Sequence, residues 1–406
     1  MLTEEIKASA ERHAAAMIEF RRDLHRHPEL SMKERRTALR IAEELKKLDG
    51  LEVTEGAAGG TGVVALLRGG KGKGVTVLLR ADIDALPVTE ETGLPFASEN
   101  AGVMHACGHD GHAAWLLGAA AILSELGENL SGCVKFVFQP GEENGSGGRR
   151  MVLEDKVLES PHVDAVFAAH AWPGVPSGNI AITERCAFGY PGRFSIKVTG
   201  RGGHGSWPHL CVDPIAVAHQ IYGALQQIVS RRLPETAARV LSVCTIRSGD
   251  SFAGNIIPEW CEMTGTIRSD RSEVMEQMTC DIKNLAENIA AANGARAEVS
   301  SRWGGAVINT PEAVPFCTEA AAKIIGAENV VIDREPHLGG EDFSEYITRA
   351  PGAYLFAGID TDETRGKFCL HASNFVLDES VVPRMAAVFA QIAVDFIENG
   401  GFAPKR

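Results

Sequence analysis

The sequence predicts an α/β fold: a larger domain with a helix-flanked mixed β-sheet, into which a smaller α+β unit is inserted. Strand-like apolar runs alternate with helical segments in the first and last parts of the 406 residues, a pattern typical of βαβ units. The pattern changes near residue 186 and returns about 110 residues later, a span of ordinary domain size. We therefore expect the larger domain to comprise residues 1–186 and 298–406, and the inserted unit to comprise residues 187–297.

The elements of the larger domain follow from the spacing of its apolar residues. Residues 3–25 and 33–48 have helical periodicity, and residues 113–126 predict another helix. The near-continuous apolar run at 74–87 is typical of a strand that is buried on both faces of a sheet. Further strands are predicted at 61–69, 133–140, 163–174 and 352–359, and further helices at 311–326 and 379–399.

The inserted unit is marked by strands in which polar and apolar residues alternate. Residues 192–200, GRFSIKVTG, alternate in this way and lead into a glycine-rich turn. Amphipathic helices are predicted at 213–232 and 272–293, with two strand-like runs between them. A strand, a helix, two strands and a helix make a compact α+β unit.

Composition excludes several classes of function. The formal net charge is −13, and the basic footprint of a nucleic-acid-binding protein is absent. No apolar run approaches the length of a membrane span, and the first residues lack the layout of a secretory signal. Nine cysteines in no dense framework indicate a reducing compartment. We expect a cytoplasmic protein that binds neither nucleic acid nor membranes.

Residues that can bind a metal are concentrated in the stretch HACGHDGHAA, at 105–114, which contains Cys107 and His109. Other such residues follow predicted strands or lie in a late loop: Asp82, Asp84, Glu142, Glu143, His170 and His371. Ligand sites in α/β sheets gather at the carboxyl ends of strands. Thiolate, imidazole and carboxylate are together the donors of a transition-metal site. The sequence therefore favours a metal site at this edge of the sheet.

A nucleophilic cysteine is the main alternative for this stretch. Cys107 is followed by Gly108 and a helix, which could supply a backbone oxyanion hole, and histidines that could act as a base lie nearby. That interpretation leaves Glu142, Glu143 and His371 without a role.

Single residues also have simpler interpretations. A histidine such as His170 is more often a hydrogen-bonded loop residue, and adjacent glutamates after Pro-Gly are usually solvated. His204 lies in GRGGHGSWPH, which is either a glycine-rich hairpin turn or a place where the backbone approaches a ligand closely.

Several motifs, in their order along the chain, resemble those of the zinc-dependent aminoacylase/carboxypeptidase family of metallopeptidases. They are RRDLHRHPELSMKE, RADIDALPV, MHACGHDGHAA, FQPGEE, HAWPG, GRGGHGSWPH, GGEDFSEY and LHASNF. The likeness is greater to the N-acyl-amino-acid amidohydrolase branch, which comprises hippurate hydrolases, N-acetyl-amino-acid deacetylases and auxin-conjugate hydrolases. It covers nearly the whole chain.

The resemblance implies a catalytic α/β domain with an inserted dimerisation or lid domain, and a centre of two divalent metal ions per subunit. Carried over position by position, the ligands are Cys107, His109, Glu143, His170 and His371, with Cys107 as the bridge. Glu142 would be the general base for a metal-activated water. The resemblance also implies a homodimer or a tetramer.

Four further residues receive roles from the same resemblance. His204, from this subunit or from a partner, would stabilise the developing oxyanion. Asn255 would lie beside the substrate, and Arg268 would contact the substrate carboxylate unless it is an ordinary surface arginine. Asp84 would orient a ligand imidazole, as carboxylates behind metal ligands do.

Two positions depart from the wider family. Asp82 stands where many relatives have a histidine ligand, so it is expected not to bind metal directly, and Cys107 stands where many have a bridging aspartate. Both departures fit the amidohydrolase branch, and they leave the identity of the metal open among zinc, manganese, nickel and cobalt.

We expect a metal-dependent amidohydrolase that cleaves N-acyl-L-amino acids, such as N-acetyl or benzoyl (hippurate) derivatives. The alternatives are a metallo-exopeptidase of the dipeptidase or carboxypeptidase type and a cysteine-nucleophile hydrolase.

Overall fold

The computed structural model describes residues 2–250, 253–367 and 369–402. They fold into two compact units. Unit 1 comprises the chain up to Ala187, Val307–Glu335 and the chain from Glu341 onward, and unit 2 comprises Phe188–Ala306 and Pro336–Gly340. The second boundary that was expected, at residue 297, falls inside the last strand of unit 2.

The first part of unit 1 contains most of its sheet. Its elements are α1 (Leu2–Arg26), α2 (Arg35–Leu45), β1 (Leu51–Gly56), β2 (Gly62–Arg68), β3 (Thr76–Asp82), α3 (His109–Leu126), β4 (Cys133–Gln139), β5 (Ala165–Pro176) and β6 (Ile180–Thr183). Every residue of β3 is buried, as its continuous apolar run predicted.

The chain then forms unit 2 and returns to unit 1. The elements of unit 2 are β7 (Tyr190–Thr199), α4 (Pro214–Gln227), β8 (Arg239–Ser248), β9 (Trp260–Ser269), α5 (Ser272–Ala292) and β10 (Arg296–Trp303). Back in unit 1 the chain forms α6 (Ala313–Ile325), β11 (Val330–Asp333), β12 (Gly352–Asp360) and α7 (Val381–Asn399).

Unit 1 is built around a mixed sheet of eight strands, counted over the described residues. Their order is β1-β2-β4-β3-β5-β12-β6-β11. The central strands β4, β3, β5 and β12 are parallel, so their carboxyl ends meet at one edge. Helix α3 packs against α1 and α7, α7 packs against α6, and these helices share one hydrophobic core with the sheet. The predicted α/β class with a helix-flanked mixed sheet is confirmed.

Unit 2 contains an antiparallel sheet in the order β8-β9-β7-β10. Alternate residues of β7, namely Phe194, Ile196 and Val198, are buried against α4 and α5. The residues between them point away from this core, which is the pattern of a sheet packed on one face only. The alternation in the sequence predicted this arrangement.

None of the helices in the described ranges is both long enough and apolar enough to cross a membrane. All nine cysteines lie within those ranges, and each of them is a free thiol. Cys107 is one of the buried thiols, so its side chain is shielded from solvent.

Candidate metal centre

Gly108 separates two of the predicted ligands and sets the start of α3. Its φ of +89° is left-handed, and a Cβ at this position would lie 3.1 Å from the Cβ of Ala171. Both observations favour glycine over any other residue. Helix α3 therefore begins at His109 and not at residue 113 as the periodicity predicted, because polar residues fill its buried first turn. Cys107 ends the loop and His109 opens the helix.

Cys107 belongs to two groups of potential metal ligands. Its Sγ lies 3.3 Å from Nε2 of His170. The ligand atoms of Cys107, His109 and His170 lie within 4.8 Å of one another, and so do those of Cys107, Glu143 and His371. Thiol, imidazole and carboxylate groups are the donors that zinc and related ions bind. A thiol common to both groups has the position of a ligand that bridges two ions.

Hydrogen bonds determine which nitrogen of two imidazoles faces this site. Nδ1 of His170 donates to the carbonyl oxygen of Ala171 at 2.7 Å. Nδ1 of His109 donates to a carboxylate oxygen of Asp84 at 3.1 Å. Nε2 of each ring is therefore the nitrogen that faces the site, and in the neutral imidazole it carries the lone pair with which histidine binds a metal. The contact made by Asp84 is the one expected of a carboxylate that orients a ligand imidazole.

Among the proposed metal ligands, two buried polar atoms lack a hydrogen-bond partner in the described residues. They are Nε2 of His109 and Oε1 of Glu143, which lie 3.9 Å apart. Nε2 of His371 lies 3.3 Å from the same carboxylate oxygen. A buried polar atom without a partner costs about 1–3 kcal/mol. Divalent cations would satisfy these atoms, so the residues present fit a pair of metal ions.

The surroundings of Cys107 oppose its use as a nucleophile. Burial raises the pKa of its thiol well above the ordinary value, and the charges of Glu143 and Glu142 raise it further. Burial lowers the pKa of His170 well below the ordinary value, so the neighbouring ring is neutral. A nucleophilic cysteine needs the opposite, a pKa lowered by positive surroundings. A bound cation is the charge that would stabilise this thiolate.

Glu142, the predicted general base, lies among other carboxylates. An oxygen of Glu142 lies within 4.8 Å of carboxylate oxygens of Glu341 and Asp342, and Glu142 also groups with His109 and Glu143. Burial raises the pKa of Glu142 well above its ordinary value, and the charges of Glu341 and Asp342 add to this. A carboxyl group with a raised pKa can take a proton near neutral pH and later return it.

The buried arginine that balances this acidic cluster was not predicted from the sequence. Arg80 lies on β3 and contacts Asp82 at 2.7 Å, Glu341 at 3.1 Å and Asp342 at 2.9 Å. A signal was available, because an arginine inside a continuous apolar strand needs buried carboxylate partners. The motif GGEDFS supplies two of those partners.

Two further polar residues of the histidine-rich stretch, His112 and Asp110, have partners of their own. Nδ1 of His112 donates to Asp82, and its Nε2 accepts the backbone N–H of Ala171 at 2.9 Å. Both ring nitrogens are therefore used, and His112 links α3 to the strand that carries His170. Asp110 forms an ion pair with Arg21 at 2.7 Å.

The predicted substrate-contact residues lie in unit 2. His204 pairs with Ile256 in a short two-stranded ladder, and the N–H of Gly205 donates to the carbonyl oxygen of Asn255 at 2.8 Å. His204 and Asn255 are therefore neighbours. Arg268 lies on β9, where its guanidinium donates to backbone carbonyl oxygens of β7 and β9. Their roles toward a substrate stay predictions.

Comparison with known proteins relates this site to enzymes. The model of peptidase family M20/M25/M40 matches residues 78–395. The chain is 40% identical over 396 residues to thermostable carboxypeptidase 1 of Saccharolobus solfataricus, covering 97% of this chain and 99% of that protein. It is 38% identical over 386 residues to N-acetylcysteine deacetylase of Bacillus subtilis, covering 94% and 97%. A solved dinuclear metal-binding M20 peptidase of Bacillus subtilis is similar at a TM-score of 0.82 and 35% identity, covering 96% and 99%.

The fold, the cluster of ligands and these relatives define a metal-dependent amide hydrolase. The chain belongs to peptidase family M20/M25/M40. The family resemblance stated from the sequence is thereby confirmed, as is the expectation of a hydrolase that uses divalent metal ions.

Proposed function

We propose that the chain hydrolyses the amide bond of N-acyl-L-amino acids and releases an amino acid and a carboxylic acid. The observation that carries the proposal is the pair of ligand groups that share Cys107 beside Glu142. The similarity to a protein named N-acetylcysteine deacetylase supports the substrate class. Amide hydrolysis needs an activated water and a proton for the leaving amine, and these residues can provide both.

In this proposal two divalent ions are held by Cys107, His109, Glu143, His170 and His371. Such ions, when bound, lower the pKa of a coordinated water and polarise an acyl carbonyl. The thiolate suits zinc or nickel, whereas the imidazoles and the carboxylate also accept manganese or cobalt. The buried unpartnered atoms of His109 and Glu143 support this assignment.

Glu142 is the proton carrier of the proposed reaction. Its carboxylate takes a proton from the attacking water and delivers it to the nitrogen of the leaving amine. The carboxylates of Glu341 and Asp342, which raise the pKa of Glu142, are held by Arg80. Arg80 therefore maintains the acidic surroundings that suit Glu142 to both steps.

The substrate contacts in this proposal are His204, Asn255 and Arg268, with His204 supplied by the same subunit or by a partner. His204 donates a hydrogen bond to the oxyanion that forms in the transition state, and Asn255 lies beside the substrate. Arg268 binds the substrate carboxylate. Burial and the neighbouring Arg193 lower the pKa of Arg268, so an anion beside this guanidinium would relieve an unfavourable charge.

A metallo-exopeptidase of the dipeptidase or carboxypeptidase type is the second candidate, because a protein named a carboxypeptidase is 40% identical to this chain. A substrate panel separates the two activities. N-acetyl, N-benzoyl and indole-acetyl amino acids and dipeptides are assayed with enzyme loaded with zinc, manganese, cobalt or nickel. We expect a higher kcat/KM for at least one class of N-acyl amino acid than for any dipeptide. A higher kcat/KM for dipeptides would assign the exopeptidase activity instead.

We further propose that the chain forms a homodimer through unit 2. Strand β8 lies at one edge of the antiparallel sheet, and the side chains of Val240 and Ile246 on this strand are exposed. Ile215 and Tyr222 on α4 are exposed as well. An edge strand with exposed apolar side chains is a template for pairing with another chain. A second copy would cover this strand by extending the sheet.

Ile246→Lys is expected to convert the dimer to a monomer, because a buried unpaired lysine at the new interface is unfavourable. Light scattering coupled to size exclusion measures the mass of each species. Val331→Lys is the matched control, since Val331 is an exposed apolar residue on β11, an edge strand of the sheet in unit 1. The control is expected to stay dimeric. A dimer that persists in Ile246→Lys would contradict the proposed interface.

We also propose a cytoplasmic location. The nine free thiols support it, because thiols persist in reducing compartments and tend to pair in oxidising ones. A fusion of the full chain to a fluorescent protein, followed in cells, checks the proposal.

A further inference from the structure

We propose that Glu34 is a positioning residue that holds the loop carrying Glu142 and Glu143. It is the last residue of the stretch HPELSMKE, at 27–34, which lies outside the ligand cluster. The inference rests on the proposed role of Glu142 as general base. It concerns how the backbone around that residue is kept in place.

Both carboxylate oxygens of Glu34 have partners. The side chain is fully buried, at 0% exposure. Oε1 accepts the backbone N–H groups of Met32 at 2.8 Å and Gly141 at 2.9 Å, and Oε2 accepts the hydroxyl of Thr61 at 2.9 Å. Glu34 thus joins the turn before α2 to the loop that follows β4.

The loop after β4 passes directly over this turn. Gly141 has a left-handed φ of +65°, and a Cβ there would lie 2.5 Å from the Sδ of Met32. Any other residue at position 141 would therefore be strained by its φ and would displace the Met32 side chain. Because the loop lies so close to the turn, the N–H of Gly141 can donate directly to the Glu34 carboxylate.

A second carboxylate holds the other side of the same loop. Oδ2 of Asp84 accepts the backbone N–H of Glu143 at 3.1 Å and the hydroxyl of Ser31 at 2.6 Å. The N–H groups of Gly141 and Glu143 flank Glu142, so Glu34 and Asp84 fix the backbone before and after it. Asp84 also contacts His109, whereas Glu34 has no such link to a proposed ligand among its hydrogen bonds in the described residues. Glu34 is therefore the member of this pair that can be changed without touching a ligand side chain.

The expected loss of loop order depends on whether the residue that replaces Glu34 can still accept its hydrogen bonds. Glu34→Ala leaves these three donors without their acceptor and opens a void. In Glu34→Gln the amide oxygen can accept both N–H groups, and the amide nitrogen can donate to the hydroxyl of Thr61, which can rotate to accept. Burial raises the pKa of Glu34 to about 7, so a neutral side chain is already close in free energy to the native one.

Glu29 offers a matched control within the same stretch. Its carboxylate also accepts two backbone N–H groups, those of Arg36 at 3.1 Å and Thr37 at 2.8 Å. These groups belong to the start of α2 and not to the loop after β4. Glu29→Ala therefore removes the same kind of contact from the same part of the fold without releasing the catalytic loop.

The test compares the full chain, loaded with metal, with Glu34→Ala, Glu34→Gln and Glu29→Ala. Hydrogen exchange is measured on peptides that cover 140–146 and 35–45, together with metal content, kcat and KM for an N-acetyl amino acid. We expect faster exchange at 140–146 in Glu34→Ala only, with kcat lowered about 10–100-fold, an effect of the size typical for losing outer support of a metal site, and KM changed much less. Glu34→Gln is expected to restore exchange and kcat, and Glu29→Ala to increase exchange at 35–45 alone. Glu34→Asp, whose shorter side chain withdraws from Gly141, replaces Glu34→Ala if the latter does not fold.

Unchanged exchange at 140–146 in Glu34→Ala would overturn the inference. Faster exchange with an unchanged kcat would overturn the positioning role and leave the proposed function intact. If the unsubstituted chain hydrolyses no N-acyl amino acid, the proposed function fails, and the exchange data still decide whether Glu34 holds the loop.

Discussion

Glu142→Gln is expected to bind the same complement of metal as the unsubstituted chain and to hydrolyse N-acyl amino acids about 10²–10⁴-fold more slowly, the usual effect of losing a general base. The amide has the shape of the carboxyl group but cannot take a proton from water. The carboxylates Glu341 and Asp342, which raise the pKa of Glu142, repel its ionised form. The substitution removes that repulsion, so Tm is expected not to fall.

Glu143→Ala is the matched comparison for this variant. Glu143 adjoins Glu142 in sequence, but its carboxylate groups with Cys107 and His371. This variant is expected to lose metal as well as turnover, whereas Glu142→Gln loses turnover alone. Metal content by elemental analysis and kcat under saturating substrate measure the two effects. Near-normal turnover by Glu142→Gln would rule out the proposed proton carrier.

Cys107→Ala is expected to bind fewer than two ions per chain and to show only the background rate of hydrolysis. The reason is that Cys107 belongs to both ligand groups, so its loss weakens the binding of both ions at once. Cys317→Ala is the control, because Cys317 is also a fully buried free thiol but lies on α6 in the hydrophobic core. The control is expected to lose stability and to keep its metal.

Cys107→Asp separates a bridging ligand from a nucleophile. A carboxylate can also bridge divalent ions, so this variant is expected to keep metal and a measurable part of the activity. If Cys107 were a nucleophile, the same variant would lose all of its activity. Inactive Cys107→Asp with a full complement of metal would therefore count against the bridging role.

Two of the proposed ligands were predictable because they lie on or directly after a parallel strand of the sheet. Glu143 follows β4, and His170 lies on β5, which pairs with β3 and β12. Parallel strands bring such residues to one edge of a sheet whatever their separation in sequence. The family resemblance then selected Cys107 and His109 from a stretch that also contains His112.

The contacts behind these residues were not predictable in the same way. The bond between Glu34 and Gly141 joins positions 107 residues apart and depends on the path of two loops. Arg80 on β3 and Glu341 in a later loop are also far apart in sequence, at 261 residues. The start of α3 was misplaced because His109 and its polar neighbours, which are buried for their contacts, carry no apolar periodicity.

The elements missed by sequence reasoning are short strands at or near the edges of the sheets. β1 is mostly exposed and contains charged residues, so its apolar pattern is weak. β10 is likewise mostly polar at the edge of the sheet in unit 2, which is why the boundary was expected at residue 297. Edge strands receive less of their stability from burial, and their sequences carry correspondingly less signal.

The number of ions bound per chain, measured together with the rate of hydrolysis of an N-acyl amino acid, tests the central claim most directly. The protein is stripped with a chelator and metal is returned in measured equivalents. Two ligand groups that share one thiol predict that activity is lost on stripping and returns in full when two ions are bound per chain. Full activity in the stripped protein would contradict the account.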